Sequence, residues 1–331
     1  MITSLLVPAA PRVILPQVSE ALFDRMDRSF GSMAELPSNV EAIDAALQFA
    51  TGANSFVAIV GPTGWGKSHL LDSVSNHLSR ESRCKTPRIR TLDWLEGRSA
   101  ASPNSPLVID DAHDATSRSR CRIQLQLALE RRVRTGRPTL IALTGEKLTR
   151  NRLAFLPSLR EWSVHEIGQP SPTERRAVVR QMARAERIRL ADVLIDLIAL
   201  RMMGNGNTII GALNRLKLAS PSWISSEEIL HACGILDPFF ADNSGWDFKE
   251  KVMTAAKSTA QDNRQALQMA CYALIQVAGL SEVQVACMAG IPPRQARTDG
   301  LAIREAMRTE SRALFAYRQF LEITVESLLD S

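Results

Sequence analysis

Gly61-Pro62-Thr63-Gly64-Trp65-Gly66-Lys67-Ser68 follows an apolar run at 55–60 and precedes an amphipathic stretch at 69–78. Glycines at 61, 64 and 66 allow successive backbone N–H groups to turn into one concavity. Lys67 can carry its charge to β and γ phosphate oxygens, and the Ser68 hydroxyl is suited to Mg²⁺. His69 lies in the first turn of the expected helix, whose positive end adds to the attraction for an anion. The pattern therefore predicts a site for ATP or ADP with Mg²⁺. Further along, Leu107-Val108-Ile109 runs into Asp110 and Asp111, two carboxylates at a strand tip on the side of the phosphate loop. Asp110, with Ser68, is expected to hold Mg²⁺ through water, and Asp111 stands where many ATPases polarise the attacking water.

These side chains need a rigid frame. Short β-rich runs recur at 89–94, 106–111, 139–144 and 162–167, mostly with helical stretches between them, which predicts an α/β domain with a mostly parallel sheet. Pro, Ser and Gly at 97–106 mark a loop within it. From Pro172 the pattern becomes helical, with amphipathic stretches at 174–187, 191–203 and 208–219 that read as a helical lid. Residues 237–246 hold Pro238, Asn243 and Gly245 and lack helical period, so they read as a linker. The expected divisions are an N-terminal extension (1–30), the nucleotide domain (31–170), the lid (171–236), a linker (237–247) and an all-α unit (248–331).

The chain has 331 residues and 45% apolar content, enough for two or three cores. It has no apolar run of about 18 residues, and residues 1–11 lack a basic start and long apolar core, so no membrane span or secretory signal is expected. A cytoplasmic location follows. Cys84, Cys121, Cys233, Cys271 and Cys287 are scattered without C-x-x-C spacing, which argues against a disulfide framework or zinc site and for ordinary core cysteines. The net charge of +5 is unevenly spread: residues 118–160 hold eleven Lys or Arg against Glu130 and Glu146. That stretch reads either as a solvated helix face or as a surface for phosphates or acidic partners.

Near the C terminus, 281–289 has the form of a short amphipathic helix, Gly290 supplies a turn and Pro293 opens a second helix. This predicts a helix-turn-helix. Arg294, Gln295, Arg297 and Thr298 are placed to reach base edges of double-stranded DNA, where Arg suits guanine and Gln adenine. Arg304, Arg308 and Arg312 can follow the phosphates. Residues 246–331 carry ten basic and ten acidic residues, a balance that keeps a protein-interaction helical bundle as the alternative.

Several stretches together resemble the DnaA/Hda family of bacterial AAA+ replication initiators and regulators. They are the phosphate loop, the paired Asp110-Asp111, Pro37-Ser38-Asn39, Leu143-Thr144-Gly145, and Gly211-Ala212-Leu213-Asn214-Arg215, which is similar to the end of the family's lid helix. Arg264-Gln265-Ala266 and Gly279-Leu280-Ser281 resemble parts of its DNA-binding domain. The resemblance implies an α/β P-loop AAA+ domain with a helical lid, followed by an all-α helix-turn-helix domain. It places Thr144 at the sensor 1 strand end. It also implies an arginine finger that completes a neighbouring subunit's site, for which Arg160 is the candidate and Arg152 the reserve. The implied role is in initiating or regulating DNA replication, with self-association through the AAA+ domain and slow ATP turnover as a switch.

Three departures from the family pattern shape that expectation. Asn207 stands at the lid position of the sensor 2 arginine and cannot offer a charge-assisted bond to the γ-phosphate. The segment between the phosphate loop and Asp110 is too short for the extra helices with which DnaA engages single-stranded DNA, a point of similarity to Hda. Finally, Gly290-Ile291-Pro292-Pro293-Arg294-Gln295 replaces the family's recognition signature. Two further readings therefore stand: a DNA-binding transcriptional or plasmid regulator with a structural nucleotide pocket, and an Hda-like adaptor acting on a replication initiator.

Overall fold

The computed structural model describes residues 28–82, 86–99, 105–146, 149, 153–202, 204–240 and 246–329. Most of the N-terminal extension, Cys84, Lys147 and the reserve Arg152 lie outside the described residues.

The α/β domain contains α1 (Val40–Ala50), β1 (Phe56–Gly61), α2 (Lys67–Ser82), β2 (Arg88–Arg90), α3 (Thr91–Leu95), β3 (Leu107–Asp110), α4 (Ala112–Thr116), α5 (Ser119–Arg134), β4 (Thr139–Thr144) and β5 (Ser163–Glu166). All described pairings in its five-stranded sheet are parallel, in the order β2-β3-β4-β1-β5. β1 is buried at every position, as expected of a central strand covered on both faces. Val57, Ile59, Val108, Leu140 and Ala142 join a core with α1 and α2; Ala58, Val60, Ile109 and Ile141 join one with α5 through Leu125, Leu129 and Val133. Parallel alignment brings Gly61, Asp110 and Thr144 to the same edge, the C-terminal ends of β1, β3 and β4. In open α/β sheets, ligands bind at that edge.

Two local expectations are corrected here. The run at 89–94 is not one strand: β2 ends at Arg90 and α3 begins at Thr91, whose hydroxyl donates to the Asp110 carbonyl at 2.6 Å. That bond ties the turn to the end of β3. The basic stretch is also not uniformly a surface. Arg132 is buried in α5, donating from Nε to Thr139 Oγ1 at 2.8 Å and from Nη2 to the Ser105 and Pro138 carbonyls at 2.9 Å. Burial lowers its pKa to about 10, with the nearby Arg137 acting in the same direction. Its task is to hold the entry to β4.

The lid comprises α6 (Pro172–Ala185), the short strand β6 (Arg189–Leu190), α7 (Asp192–Arg201), α8 (Gly206–Ala219), the short strand β7 (Ser222–Trp223) paired with β6, and α9 (Ser226–Phe240). Ser171 and Glu174 form the capping box of α6, and Glu174 Oε1 also accepts the Ser38 N–H at 2.9 Å, fastening the lid to the start of α1. α9 continues through Pro238 to Phe240, so the expected linker is helical at its start; residues 241–245 lie outside the described part.

The C-terminal unit contains α10 (Phe248–Thr259), α11 (Asn263–Cys271), a π-helical segment (Tyr272–Val277), α12 (Glu282–Ala289), α13 (Pro293–Thr309) and α14 (Ser311–Ser327). α12 begins with a Ser281/Gln284 capping box and ends at Gly290, whose φ of 67° is the left-handed turn a glycine accepts without strain. Cys233 and Cys271 are buried, whereas Cys121 is half-buried and Cys287 exposed, so the core role expected of the cysteines holds for the first two. Among the described residues, no helix is long and apolar enough to cross a membrane.

Candidate functional site

At the C-terminal edge of the sheet, a cavity of about 710 Å³ opens between the α/β domain and the lid. Residues 63–69 of the phosphate loop and α2 line it, with Asp111, Thr144 and Asn207. Gly61, at the end of β1, accepts a hydrogen bond from Lys67 Nζ through its carbonyl. Of the residues expected here from the sequence, Gly61 and Asp110 do not line the cavity; Asp110 is hydrogen-bonded to Ser68, which does.

The loop is shaped by close approach as well as by composition. Gly64 and Gly66 have φ of 80° and 97°. A Cβ on Gly64 would lie 2.5 Å from Asn205 Cγ, and one on Gly206 would lie 2.5 Å from the Gly64 carbonyl oxygen. The N-terminus of α8 consequently rests on the phosphate loop. Asn205 caps it, its Oδ1 accepting the Asn207 N–H at 3.0 Å. Asn207 is exposed in this first turn. The lid residues on the cavity (Val178, Gln181, Met182, Ala185, Gly206, Asn207 and Ile210) carry no charge.

Lys67 is buried, with Nζ donating to the Gly61 and Pro62 carbonyls at 2.8 Å each. Burial pushes the ammonium below its ordinary pKa, while Asp110 and Asp111 act in the opposite direction. Ser68 Oγ donates to Asp110 Oδ2 at 2.7 Å, and Asp110 Oδ1 accepts the Asp111 N–H at 2.9 Å. This pair of hard oxygen donors suits Mg²⁺, which prefers carboxylate, hydroxyl and water ligands. One competitor is present: Arg88 Nη1 also donates to Asp110 Oδ2, at 2.6 Å.

Asp111 has φ of 54°, in the left-handed region, and is half-buried at the N-cap of α4. Burial first, and then the neighbouring Asp110 charge, raise its carboxyl above the usual range. A raised folded-state pKa means that the protonated form is favoured by folding. Its contribution to stability is present in acid and lost as pH rises through the folded pKa, so at neutral pH the ionised group opposes the empty fold. Asp111→Asn removes the charge and keeps a side chain that tolerates left-handed φ. The variant is expected to melt at a higher temperature than the parent at pH 7 without nucleotide, with the difference vanishing near pH 3. An unchanged or lowered melting temperature at pH 7 contradicts this account.

His69 has a local structural task. Its Nε2 lies 3.0 Å from Ser32 Oγ and 3.3 Å from the Ser29 carbonyl, tying the segment around Phe30–Ser32 to α2. Burial lowers its pKa. Asn39 explains the Pro-Ser-Asn signature: its Oδ1 accepts the Leu36 N–H at 2.8 Å and its Nδ2 donates to the Ala34 carbonyl at 2.9 Å, shaping the loop on the cavity rim.

Arg160 is not brought to the cavity. It is exposed in the turn Leu159–Glu161 before β5, whose residue Ser163 pairs with Val57 near the start of β1. It therefore stands at the end of the sheet opposite the phosphate loop.

Several cavity residues escaped the sequence reading, among them three arginines: Arg28, Arg88 and Arg90. The Arg-x-Arg alternation on a strand beside β3 was a usable signal, because Arg90 pairs in register with Asp110.

In the C-terminal unit, Arg294, Gln295, Arg297 and Thr298 are all exposed on the first turns of α13, while Ala296, Gly300 and Ile303 face the core. Arg297 Nε lies 3.6 Å from Glu282 Oε1, and Thr298 Oγ1 donates to the Arg294 carbonyl at 2.9 Å.

No family model matches the sequence, and no curated protein matches it. Among solved structures, the chain is similar to domain III of the Thermotoga maritima replication initiation protein DnaA, with a TM-score of 0.52, 19% identity, and coverage of 65% of this chain and 97% of that one. It is also similar to the replication initiator DnaA bound to AMPPCP and single-stranded DNA, with a TM-score of 0.51, 13% identity, and coverage of 89% and 97%. The RuvB Holliday junction branch migration motor of Thermotoga maritima aligns at a TM-score of 0.47 and 16% identity, over 80% and 85%. The parallel sheet, phosphate loop and helical lid define an AAA+ P-loop fold. Its arrangement is DnaA-like.

Proposed function

We propose that this chain binds ATP or ADP with Mg²⁺ and binds double-stranded DNA, acting in the initiation or regulation of DNA replication. The observation that supports this most is the physical continuity from the phosphate loop to the C-terminal helices. Gly64 meets the first turn of α8, α8 packs on α9, and α9 packs on both the π-helical segment and α14. A nucleotide that moves the lid thereby changes the posture of α13.

In this reading the phosphate-loop N–H groups and Lys67 hold the phosphates, Ser68 and Asp110 hold Mg²⁺, and the apolar rim formed by Leu36, Ile167 and Met182 takes the base. Mg²⁺ supplies neutralisation of phosphate charge. Asp111 orients water for any hydrolysis, and Arg160 completes a neighbouring subunit's site. Arg294, Gln295, Arg297 and Thr298 enter the major groove. The DnaA structure with AMPPCP and single-stranded DNA supports the nucleotide ligand by analogy of fold alone.

The absence of charge among the lid residues lining the cavity supports a second reading, in which the nucleotide is structural and the chain is a DNA-binding regulator without turnover. A sequence selection from a random duplex pool at physiological salt, run with ATP, with ADP and without nucleotide, tests both. A motif enriched more strongly with ATP supports the switched reading, equal enrichment in all states supports the structural one, and no enrichment shifts the function to an adaptor. On the enriched duplex, Arg294→Ala with Gln295→Ala is expected to weaken binding by at least about 10-fold, at about 1–3 kcal/mol per good base contact. Unchanged affinity removes α13 as the reading helix.

A further inference from the structure

Arg88 ends on the metal side of the cavity. Its Nη1 donates to Asp110 Oδ2 at 2.6 Å, its Nε lies 2.8 Å from Asp72 Oδ1, and it lines the cavity. Asp110 Oδ2 is also the oxygen that accepts the Ser68 hydroxyl, while Oδ1 is taken by the Asp111 N–H. The carboxylate expected to face a divalent ion therefore already faces a fixed positive charge. Asp110 is 1% exposed, so this pairing is poorly screened by water. A second carboxylate, Asp72, steers the guanidinium from the other side and is itself paired with Arg28. Arginine remains protonated at any working pH, and its planar fork suits bridging two carboxylates. A dication arriving beside it meets like-charge repulsion and an aspartate whose charge is already offset.

Building on the nucleotide reading above, we propose that Arg88 is a resident counter-ion of Asp110: it offsets that carboxylate's repulsion of phosphate, so that nucleotide is held with little dependence on Mg²⁺. The division of labour differs from a site in which Mg²⁺ carries the whole neutralisation of the phosphates. Here Lys67 faces the phosphates and Arg88 offsets Asp110, and loss of the metal leaves both arrangements in place.

The test is fluorescence titration of the full chain with N-methylanthraniloyl-ADP, in Mg²⁺ and in EDTA, for the parent, Arg88→Gln and Arg88→Lys. The parent is expected to bind within about 5-fold equally in the two buffers, and Arg88→Gln to bind at least about 30-fold more weakly in EDTA than in Mg²⁺. Arg88→Lys keeps a charge beside Asp110 and is expected to stay close to the parent. A parent that weakens about 100-fold in EDTA overturns the proposal while leaving the nucleotide site intact, and this arm decides even if Arg88→Gln does not fold. Equal buffer ratios in the parent and a folded Arg88→Gln also overturn it. No binding by the parent in either buffer removes the nucleotide reading and the proposal with it.

Discussion

Lys67→Ala is expected to weaken ATP and ADP binding by at least about 100-fold, a loss near 2.7 kcal/mol, while the helical content of the chain is retained. The Lys67 ammonium is desolvated beneath the loop and held by two carbonyls at 2.8 Å. A charge fixed in that position interacts with phosphate through far less water than a surface lysine does. Alanine also deprives Asp110 and Asp111 of a nearby cation, so two carboxylates confront an incoming polyanion with less compensation. Isothermal titration of parent and variant measures the effect, and circular dichroism checks the fold. Parent-like affinity in a folded Lys67→Ala protein would remove the cavity as the nucleotide site.

Gly234→Ala tests the joint between the lid and the C-terminal unit. A Cβ on Gly234 would lie 1.9 Å from the Ala278 carbonyl oxygen and 2.8 Å from its carbon, both backbone atoms at the end of the π-helical segment. No rotamer change relieves such a contact; α9 and the segment must separate. Overpacking of this kind costs roughly 1–3 kcal/mol, which for a chain of this length corresponds to a melting temperature lowered by about 1–4 °C. The same change at Gly211 is the control, since its nearest neighbour, Phe239 Cε1, is 4.0 Å away. There the helix gains up to about 1 kcal/mol of intrinsic propensity. Gly234→Ala is further expected to reduce any ATP-dependent difference in DNA affinity, because α9 carries the mechanical link. A melting temperature matching the Gly211→Ala control contradicts the close approach; an unchanged nucleotide effect on DNA shows that the link runs elsewhere.

Much of the site was legible because its chemistry is local in sequence. A phosphate loop needs glycines, a lysine and a hydroxyl within eight residues, and a strand ending in Asp110 and Asp111 must leave the sheet at the same edge when all strands are parallel. Gly290 and Pro293 likewise announced their turn and helix start through backbone chemistry alone. The lid's last helix was misjudged because a local signal was outvoted: Pro238 lacks the N–H that would bond the Gly234 carbonyl, yet α9 runs on because Leu236 and Phe240 are completely buried.

Arg88, Arg132 and His69 could not be assigned from their surroundings in the chain. Each is a polar residue whose partners come from distant segments: Asp72 and Asp110 for Arg88, Ser105 and Thr139 for Arg132, Ser29 and Ser32 for His69. Sequence period says which face of an element is apolar, but not which charge will lie across the register. The amino-acid sequence determined the phosphate loop, the parallel sheet, the lid and the paired C-terminal helices, because backbone preference and hydrophobic period act over a few residues. The tertiary structure decided which arginines enter the cavity, which is buried as a brace, and that the lid's last helix meets the C-terminal unit backbone to backbone, because desolvation and ion pairing depend on neighbours that only folding brings together.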